Sequence, residues 1–355
     1  MNRILVTLPN WYGETLFATP WLRALRQQRP RAFIATLGWP RCREILLHNP
    51  HIDELLDYDE HGAHRSLIGK WRLVATLRAR RFDTAFILRK SLSRTMLVAA
   101  AGIPARVGFA NPKSNWLLTQ RVPAAGGPRH KASTYWPLLE AVGLCGLPGP
   151  YEYTVSDDER QAARQWQSAQ RIEHGRPVVV LHPGANWPHK RWAPVRFAAL
   201  GDRLTESQRV HVVVTGGPAD QALADALKQS MRHPATVVAG QTTLRQLAAL
   251  LEQARLVIAN DTGILHLAAA LQRPVVALYG PTSPALTGPL GDPQWTIVLH
   301  HPDCCPSIPC YQPDRPPHTG MNAITVEEAY QAACQLLGKG SSEFGIRSSE
   351  LKRSA

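Results

Sequence analysis

Leu256-Val257-Ile258-Ala259-Asn260-Asp261-Thr262-Gly263-Ile264-Leu265-His266-Leu267-Ala268-Ala269-Ala270-Leu271 joins an apolar run, a polar glycine-containing turn and a helix-forming run without a gap. A strand that ends in such a turn and passes straight into a helix leaves the first helical N–H groups open to an anion. Asp261 and Thr262 fall at the carboxyl end of the strand, Gly263 permits close backbone approach, and His266 lies one helical turn beyond Thr262 on the same side. Two readings remain open from these residues alone. Asp261, Thr262, Gly263 and His266 form a cradle for a diphosphate, or Asp261 and Thr262 cap the helix and His266 is a satisfied core histidine.

The same pattern extends in both directions. Val178–His182, His211–Thr215, Thr236–Ala239, Leu256–Ala259 and Val275–Tyr279 are nearly continuous apolar runs, expected of strands covered on both faces. In the first half, Ile4–Leu8, Phe33–Leu37, Thr84–Leu88 and Arg106–Phe109 read as strands, separated by helical stretches at Thr19–Gln28 and from Leu67 to Arg80. Strand and helix alternate throughout, so the fold class is α/β with parallel sheets.

A chain of 355 residues is too long for one core and suits two domains of roughly 150 residues each. Ser156-Asp157-Asp158-Glu159 is a helix cap with acids in the first turn, and Gly175-Arg176-Pro177 is a break. The expected division is therefore residues 1–160 and 161–338. The segment 339–355 has no periodic apolar face and reads as a disordered or cloning-derived tail.

With 44% hydrophobic and 19% charged residues the chain can bury substantial cores. No stretch reaches the roughly 18 consecutive apolar residues of a membrane helix, and no signal-peptide pattern precedes the first strand, so a cytoplasmic location is expected. Net charge is +13, of which residues 1–160 contribute +9, with 22 Lys/Arg against 13 Asp/Glu. A basic first half suits an anionic partner such as a phosphate-bearing lipid surface; scattered arginines that only aid solubility are the alternative. Zinc-finger spacing, RNP-type aromatic motifs and basic helices are absent, which argues against nucleic acid. Cys304-Cys305-x4-Cys310 lacks the second spaced pair of a structural zinc site, so no metal is expected and reduced thiols are the default.

Three further strand ends resemble ligand loops. His182 leads into Pro183-Gly184-Ala185-Asn186-Trp187-Pro188-His189-Lys190-Arg191-Trp192, where Lys190 has the charge to neutralise a diphosphate and Trp187 or Trp192 the area to cover a base or sugar. A solvated turn with Trp192 as a packing residue is the other reading. Thr215-Gly216-Gly217-Pro218 and Tyr279-Gly280-Pro281-Thr282 follow two more strands. In the first half, Pro9-Asn10-Trp11-Tyr12-Gly13-Glu14 joins strand to helix. Glu14 is either a base for an acceptor hydroxyl or a first-turn acid that complements the helix dipole. The turn lacks G-x-G-x-x-G, which counts against a nicotinamide site.

Taken together, the Asn10–Glu14, Pro183–Trp192, Asn260–His266 and Tyr279–Thr282 motifs resemble those of the bacterial ADP-heptose:lipopolysaccharide heptosyltransferases of glycosyltransferase family 9. The resemblance spans residues 1 to about 338, and the Asn-Trp-x-Gly opening is similar to the heptosyltransferase II branch. It implies a GT-B fold of two Rossmann-like lobes facing a cleft. The second lobe would hold the nucleotide sugar through Asn186, Lys190, Gly216, Gly217, Asp261, Thr262, Gly263, His266 and Thr282. The first would hold a lipid A-core or other anionic saccharide acceptor through Asn10, Trp11 and Gly13. It further implies inverting transfer without metal or cofactor, at the cytoplasmic face of the inner membrane. Glu14 would be the base, where the family has Asp. A relative with another nucleotide sugar or acceptor, a sugar-nucleotide epimerase of similar architecture and a catalytically silent binding protein are the alternatives.

Overall fold

A computed structural model describes residues 1–124, 126–146, 149–170, 172, 175–304, 308–310 and 319–350, with side chains to Lys339. It divides into two compact units, Met1–Thr154 and Val155–Ala355. The first contains one six-stranded sheet, β1 (Arg3–Thr7), β2 (Phe33–Gly38), β3 (Glu54–Asp57), β4 (Thr84–Ile87), β5 (Ala105–Phe109) and β6 (Gln120–Val122), ordered β3-β2-β1-β4-β5-β6. The second contains β7 (Val178–His182), β8 (His211–Val214), β9 (Ala235–Val237), β10 (Leu256–Asn260), β11 (Val275–Tyr279) and β12 (Thr296–His300), ordered β12-β11-β10-β7-β8-β9. All pairs are parallel. Counted within each unit, the two orders are the same.

Burial follows position in the sheet. Every residue of β4, β7, β10 and β11 is buried, because helices cover both faces there. The edge strands β3 and β12 have no fully buried residue. These two and the three-residue β6 are the strands that the apolar-run reading passes over, since their sequences carry charge or polar residues where one side meets solvent. One core of the first unit joins Leu5, Ala35 and Ala85 to helical Leu73, Leu77 and Val98. That of the second joins Val179, Ile258 and Val276 to Phe197, Leu200 and the last helix through Ala329, Ala333 and Leu336.

The boundary falls six residues before the expected 160/161. Ser156 caps the helix Asp157–Ala169 in a reciprocal box with Glu159. Glu159 accepts from Arg245 at 2.7 Å, and Arg160 donates to Glu252 at 2.7 and 2.9 Å, so this helix is fixed to Leu244–Gln253 of the second unit. The last helix is Val326–Glu350, so residues read as a patternless tail from 339 continue a helix through Glu350. Residues 351–355 lie outside the described residues.

Trp21 is fully buried on the helix Thr19–Gln28, edge-on to Phe86 of β4 with ring centroids 5.1 Å apart. Trp21→Ala should therefore lower unfolding free energy by about 3–5 kcal/mol, read from chemical denaturation; a loss below about 1 kcal/mol would contradict this packing.

Candidate active site

In an open parallel sheet, ligands bind beyond the carboxyl ends of the strands, where neighbouring connections leave in opposite directions. That point lies between β7 and β10 in the second unit and between β1 and β4 in the first. The loops after these four strands carry Asn186 and Lys190, Asp261 to His266, Asn10 to Glu14, and Arg89 and Lys90.

The second unit's site is built around the carboxylate of Asp261, which is 6% exposed. Lys190 Nζ lies 2.6 Å from Oδ2, the Thr282 hydroxyl donates to Oδ2 at 2.8 Å, and His266 Nε2 lies 3.8 Å from Oδ1. The loops after β7 and β11 and the helix after β10 thus meet at one acid. Burial alone would raise the Asp261 pKa, but Lys190 and His266 outweigh it and hold the carboxyl below its ordinary range. Thr282 is itself buried, so its hydroxyl orients Asp261. Thr262 caps the helix Gly263–Ala270, accepting from Leu265 N–H at 3.4 Å. A Cβ added at Gly263 would meet no atom within 4 Å, so packing does not demand glycine there and the helix start is open to close approach.

Asn260, which the sequence reading placed just past the strand Leu256–Ala259 without a role of its own, ends β10 and holds the two loops together. It is fully buried, donates to the Pro183 carbonyl at 2.8 Å and accepts from Trp192 N–H at 3.1 Å. A polar residue at the end of an all-apolar strand was the available signal, because a buried amide needs partners. Arg191 donates to the Ala185 carbonyl at 2.7 and 2.9 Å and closes the same loop. Trp192 does not cover a ligand. It is fully buried, edge-on to Phe197 at 5.0 Å, with its indole N–H on the Ile324 carbonyl at 3.0 Å. Trp187 is half-buried with Lys190 Nζ 5.8 Å from its ring, and Asn186 is exposed.

Gly216 is held to glycine by packing, whereas a Cβ on Gly217 would make only an ordinary contact with Asp220. A Cβ on Gly216 would come within 2.8 Å of Asp220 Cβ, and Gly217 N–H donates to Asp220 Oδ2 at 3.0 Å. Beside them His182 Nδ1 lies 3.0 Å from the Thr215 hydroxyl. Burial lowers its pKa to about 4, with Asp220 opposing, so the imidazole is neutral. Cys304 is half-buried and Cys310 buried, both as thiols, while Cys305 lies outside the described residues.

In the first unit a cavity of 410 Å³ lies at the carboxyl ends of β1, β4 and β5, lined among others by Trp11, Glu14, Arg89, Lys90, Arg129 and Tyr135. Glu14 occupies the first turn of the helix Tyr12–Phe17, of which Gly13 is the second residue. The Tyr135 phenol is pushed up by burial and by the charge of Glu14. Asn10 instead faces inward. Its side-chain carbonyl accepts from buried Arg94, which also donates to the Leu8 carbonyl, and its backbone carbonyl accepts from Arg41 at 2.9 Å. Arg41 lies between the rings of Trp11 and Trp39, 4.4 Å from each. Arg89, Lys90 and Arg129 were not singled out in the sequence, although the first two directly follow a strand at the switch point, the rule that found Lys190. A second cavity, of 530 Å³, lies at the amino ends of β7, β10 and β11, is lined by Arg164, Arg176, Arg255 and Arg273, and contains none of the predicted residues.

The fold and these loops define a two-sheet α/β protein of nucleotide-binding type, with an acid and a basic cavity in one unit and a lysine–aspartate–histidine cluster in the other. The family model for glycosyltransferase family 9 (heptosyltransferase) matches residues 70–312, and the chain belongs to that family. It is 30% identical over 319 residues to lipopolysaccharide heptosyltransferase 2 of Escherichia coli K12, covering 84% of this chain and 88% of that protein. The crystal structure of a family 9 glycosyl transferase from Veillonella parvula aligns with a TM-score of 0.86 at 26% identity, covering 96% of this chain and 98% of the other. The structure of Escherichia coli ADP-heptose heptosyltransferase II shares the fold with a TM-score of 0.76 at 24% identity, covering 96% and 100%. The chain is therefore a glycosyltransferase with the GT-B fold.

Asn260→Ala removes an amide that satisfies buried groups of the neighbouring loop and should cost about 2–4 kcal/mol in denaturation. His182 adds a pH dependence. Its folded pKa is depressed, so the unfolded chain takes up its proton first as pH falls from 6.5. Stability should decline by on the order of 3 kcal/mol between that value and about 4. Thermal melts across this window should show a shallower slope for His182→Gln; an unchanged slope would reject the assignment.

Proposed function

We propose that this glycosyltransferase moves a heptosyl unit from ADP-heptose to the inner core of lipopolysaccharide, with inversion at the anomeric carbon and without a metal or cofactor. The observation that carries the proposal is the meeting of Lys190, Asp261, His266 and the open start of helix Gly263–Ala270 at the switch point of the second sheet, in a chain of this family. Helix-start N–H groups and Lys190 suit the diphosphate, whose charge grows as it leaves. Asp261 is an acceptor-rich carboxylate that suits sugar hydroxyls.

In the first unit, Glu14 accepts the proton of the attacking acceptor hydroxyl within the 410 Å³ cavity. Arg89, Lys90 and Arg129 line the same cavity and favour an acceptor that carries phosphate or carboxylate. The lengthened carboxylate arm, Glu where the family resemblance places Asp, sets its own distance to that hydroxyl. An acceptor carried by lipid places the reaction at the cytoplasmic face of a membrane. Among the described residues no helix is long and apolar enough to cross one.

The test is transfer by the purified protein to lipopolysaccharide truncated in its inner core, with the anomeric configuration of the product read by NMR. Glu14→Gln should lower kcat at least about 100-fold while leaving ADP binding intact, and Lys190→Ala should weaken ADP binding at least about tenfold. A chelator should leave turnover unchanged. Thermal shifts with a panel of nucleoside diphosphates should favour ADP. Interconversion of the free sugar nucleotide without acceptor, or retention of configuration, would reject the proposal.

A further inference from the structure

The helix Leu67–Ala79 buries Leu73, Val74 and Leu77 in the core of the first sheet. Its opposite side is not polar as a solvated helix face would be: Leu67, Ile68 and Trp71 are 78%, 67% and 68% exposed. The neighbouring helix Leu92–Ala100 exposes Leu92 and Met96, and the turn Asn115–Leu117 packed on that helix exposes Trp116. Large apolar side chains gathered on adjoining elements mark a contact surface, whereas single ones do not.

Charge narrows what is contacted. From His61 to Leu139 the chain carries 14 Lys/Arg and a single acid, Asp83. That acid is engaged, accepting from the N–H groups of Asn2 and Arg3 at 2.6 and 3.0 Å. Arg65, Lys70, Arg72 and Lys113 are interleaved with the exposed apolar residues, and none of the three elements contains Asp or Glu. Indole and aliphatic side chains set among cations match an anionic lipid interface, where apolar groups enter the headgroup boundary and cations meet phosphates. A protein partner with an acidic rim is the weaker fit, because interface cores are poor in lysine.

Topology adds the position. Both helices follow the carboxyl ends of strands, Leu92–Ala100 after a short turn and Leu67–Ala79 after the loop from Tyr58 to Ser66, at the end of the unit that carries the Glu14 cavity, and Arg89 and Lys90 of that cavity lie in the turn before Leu92. The segment is held firmly: Asp59 Oδ1 accepts from Gly62 N–H at 2.9 Å, Ser66 caps the helix through Gly69 N–H at 3.0 Å, and a Cβ on Gly69 would strike the Ala63 carbonyl at 2.2 Å.

We propose that Leu67, Ile68 and Trp71, with Lys70 and Arg72, form a docking surface for an anionic phospholipid bilayer, placed beside the Glu14 cavity so that a lipid-borne acceptor enters from the membrane. The membrane setting rests on the proposed function, and the docking itself is measurable without donor or acceptor. The full-length protein should co-sediment with mixed phosphatidylcholine–phosphatidylglycerol vesicles and not with phosphatidylcholine alone, and added salt should weaken binding. The triple variant Leu67→Ser, Ile68→Ser, Trp71→Ser should lose at least about tenfold in partitioning, with its melting temperature and its transfer to a delipidated acceptor unchanged. Lys70→Glu with Arg72→Glu should abolish the preference for anionic vesicles. Docking without any transfer would support this surface and reject the heptosyl reading. Equal partitioning by the triple variant, no binding of the parent protein to anionic vesicles, or a dimer that the triple substitution splits while neither form binds vesicles would overturn the proposal.

Discussion

A carboxylate held out of water between a lysine and a histidine is the constraint on which the second unit depends. Asp261 is stabilised in its burial because Lys190 and Thr282 arrive from the loops after β7 and β11, and His266 from the helix that follows it, to meet it. Each loop begins at a strand end, so the sheet's order decides which side chains can meet there. The ligand end of the unit is therefore organised by one electrostatic demand, and Asn260 supplies the backbone stitching that lets it be met.

The first unit solves a similar problem with the opposite sign. The guanidinium of Arg94 is 1% exposed and sits at the end of β1, bonded to Leu8 and Asn10 with Glu60 3.9 Å away. Burial lowers its pKa, the carboxylate of Glu60 opposes that, and the Leu8 carbonyl and Asn10 each accept from one of its terminal nitrogens. Asn10 thereby shapes the turn that delivers Glu14 to the cavity.

The sequence made the central strands and the ligand loops readable because both leave local marks: continuous apolar runs, and glycine or charge directly after them. Val178–His182, Leu256–Asn260 and Val275–Tyr279 are legible for this reason. Glu54–Asp57 and Gln120–Val122 are not, since half-exposed edges carry the same polar residues as loops. Contacts between distant segments leave no such mark. Nothing in the spacing says that Thr282 bonds Asp261, that Asn10 belongs to Arg94, or that Trp192 turns inward onto Phe197. Nor does the spacing say that the space a Cβ at Gly216 would need is taken by the side chain of Asp220.

The repeated strand order has a consequence for synthesis. Every strand of the first sheet has its partners within the first unit, the last of them ending at Val122, so that sheet can close while most of the second is still inside or near the ribosome. The second sheet is complete at His300, yet its core also needs Ala329, Ala333 and Leu336 from the final helix. The nascent chain thus gains its basic, apolar-faced half early, and the unit that holds Asp261 closes only once the helix bearing Ala329, Ala333 and Leu336 has emerged, which makes that helix a late lock on it.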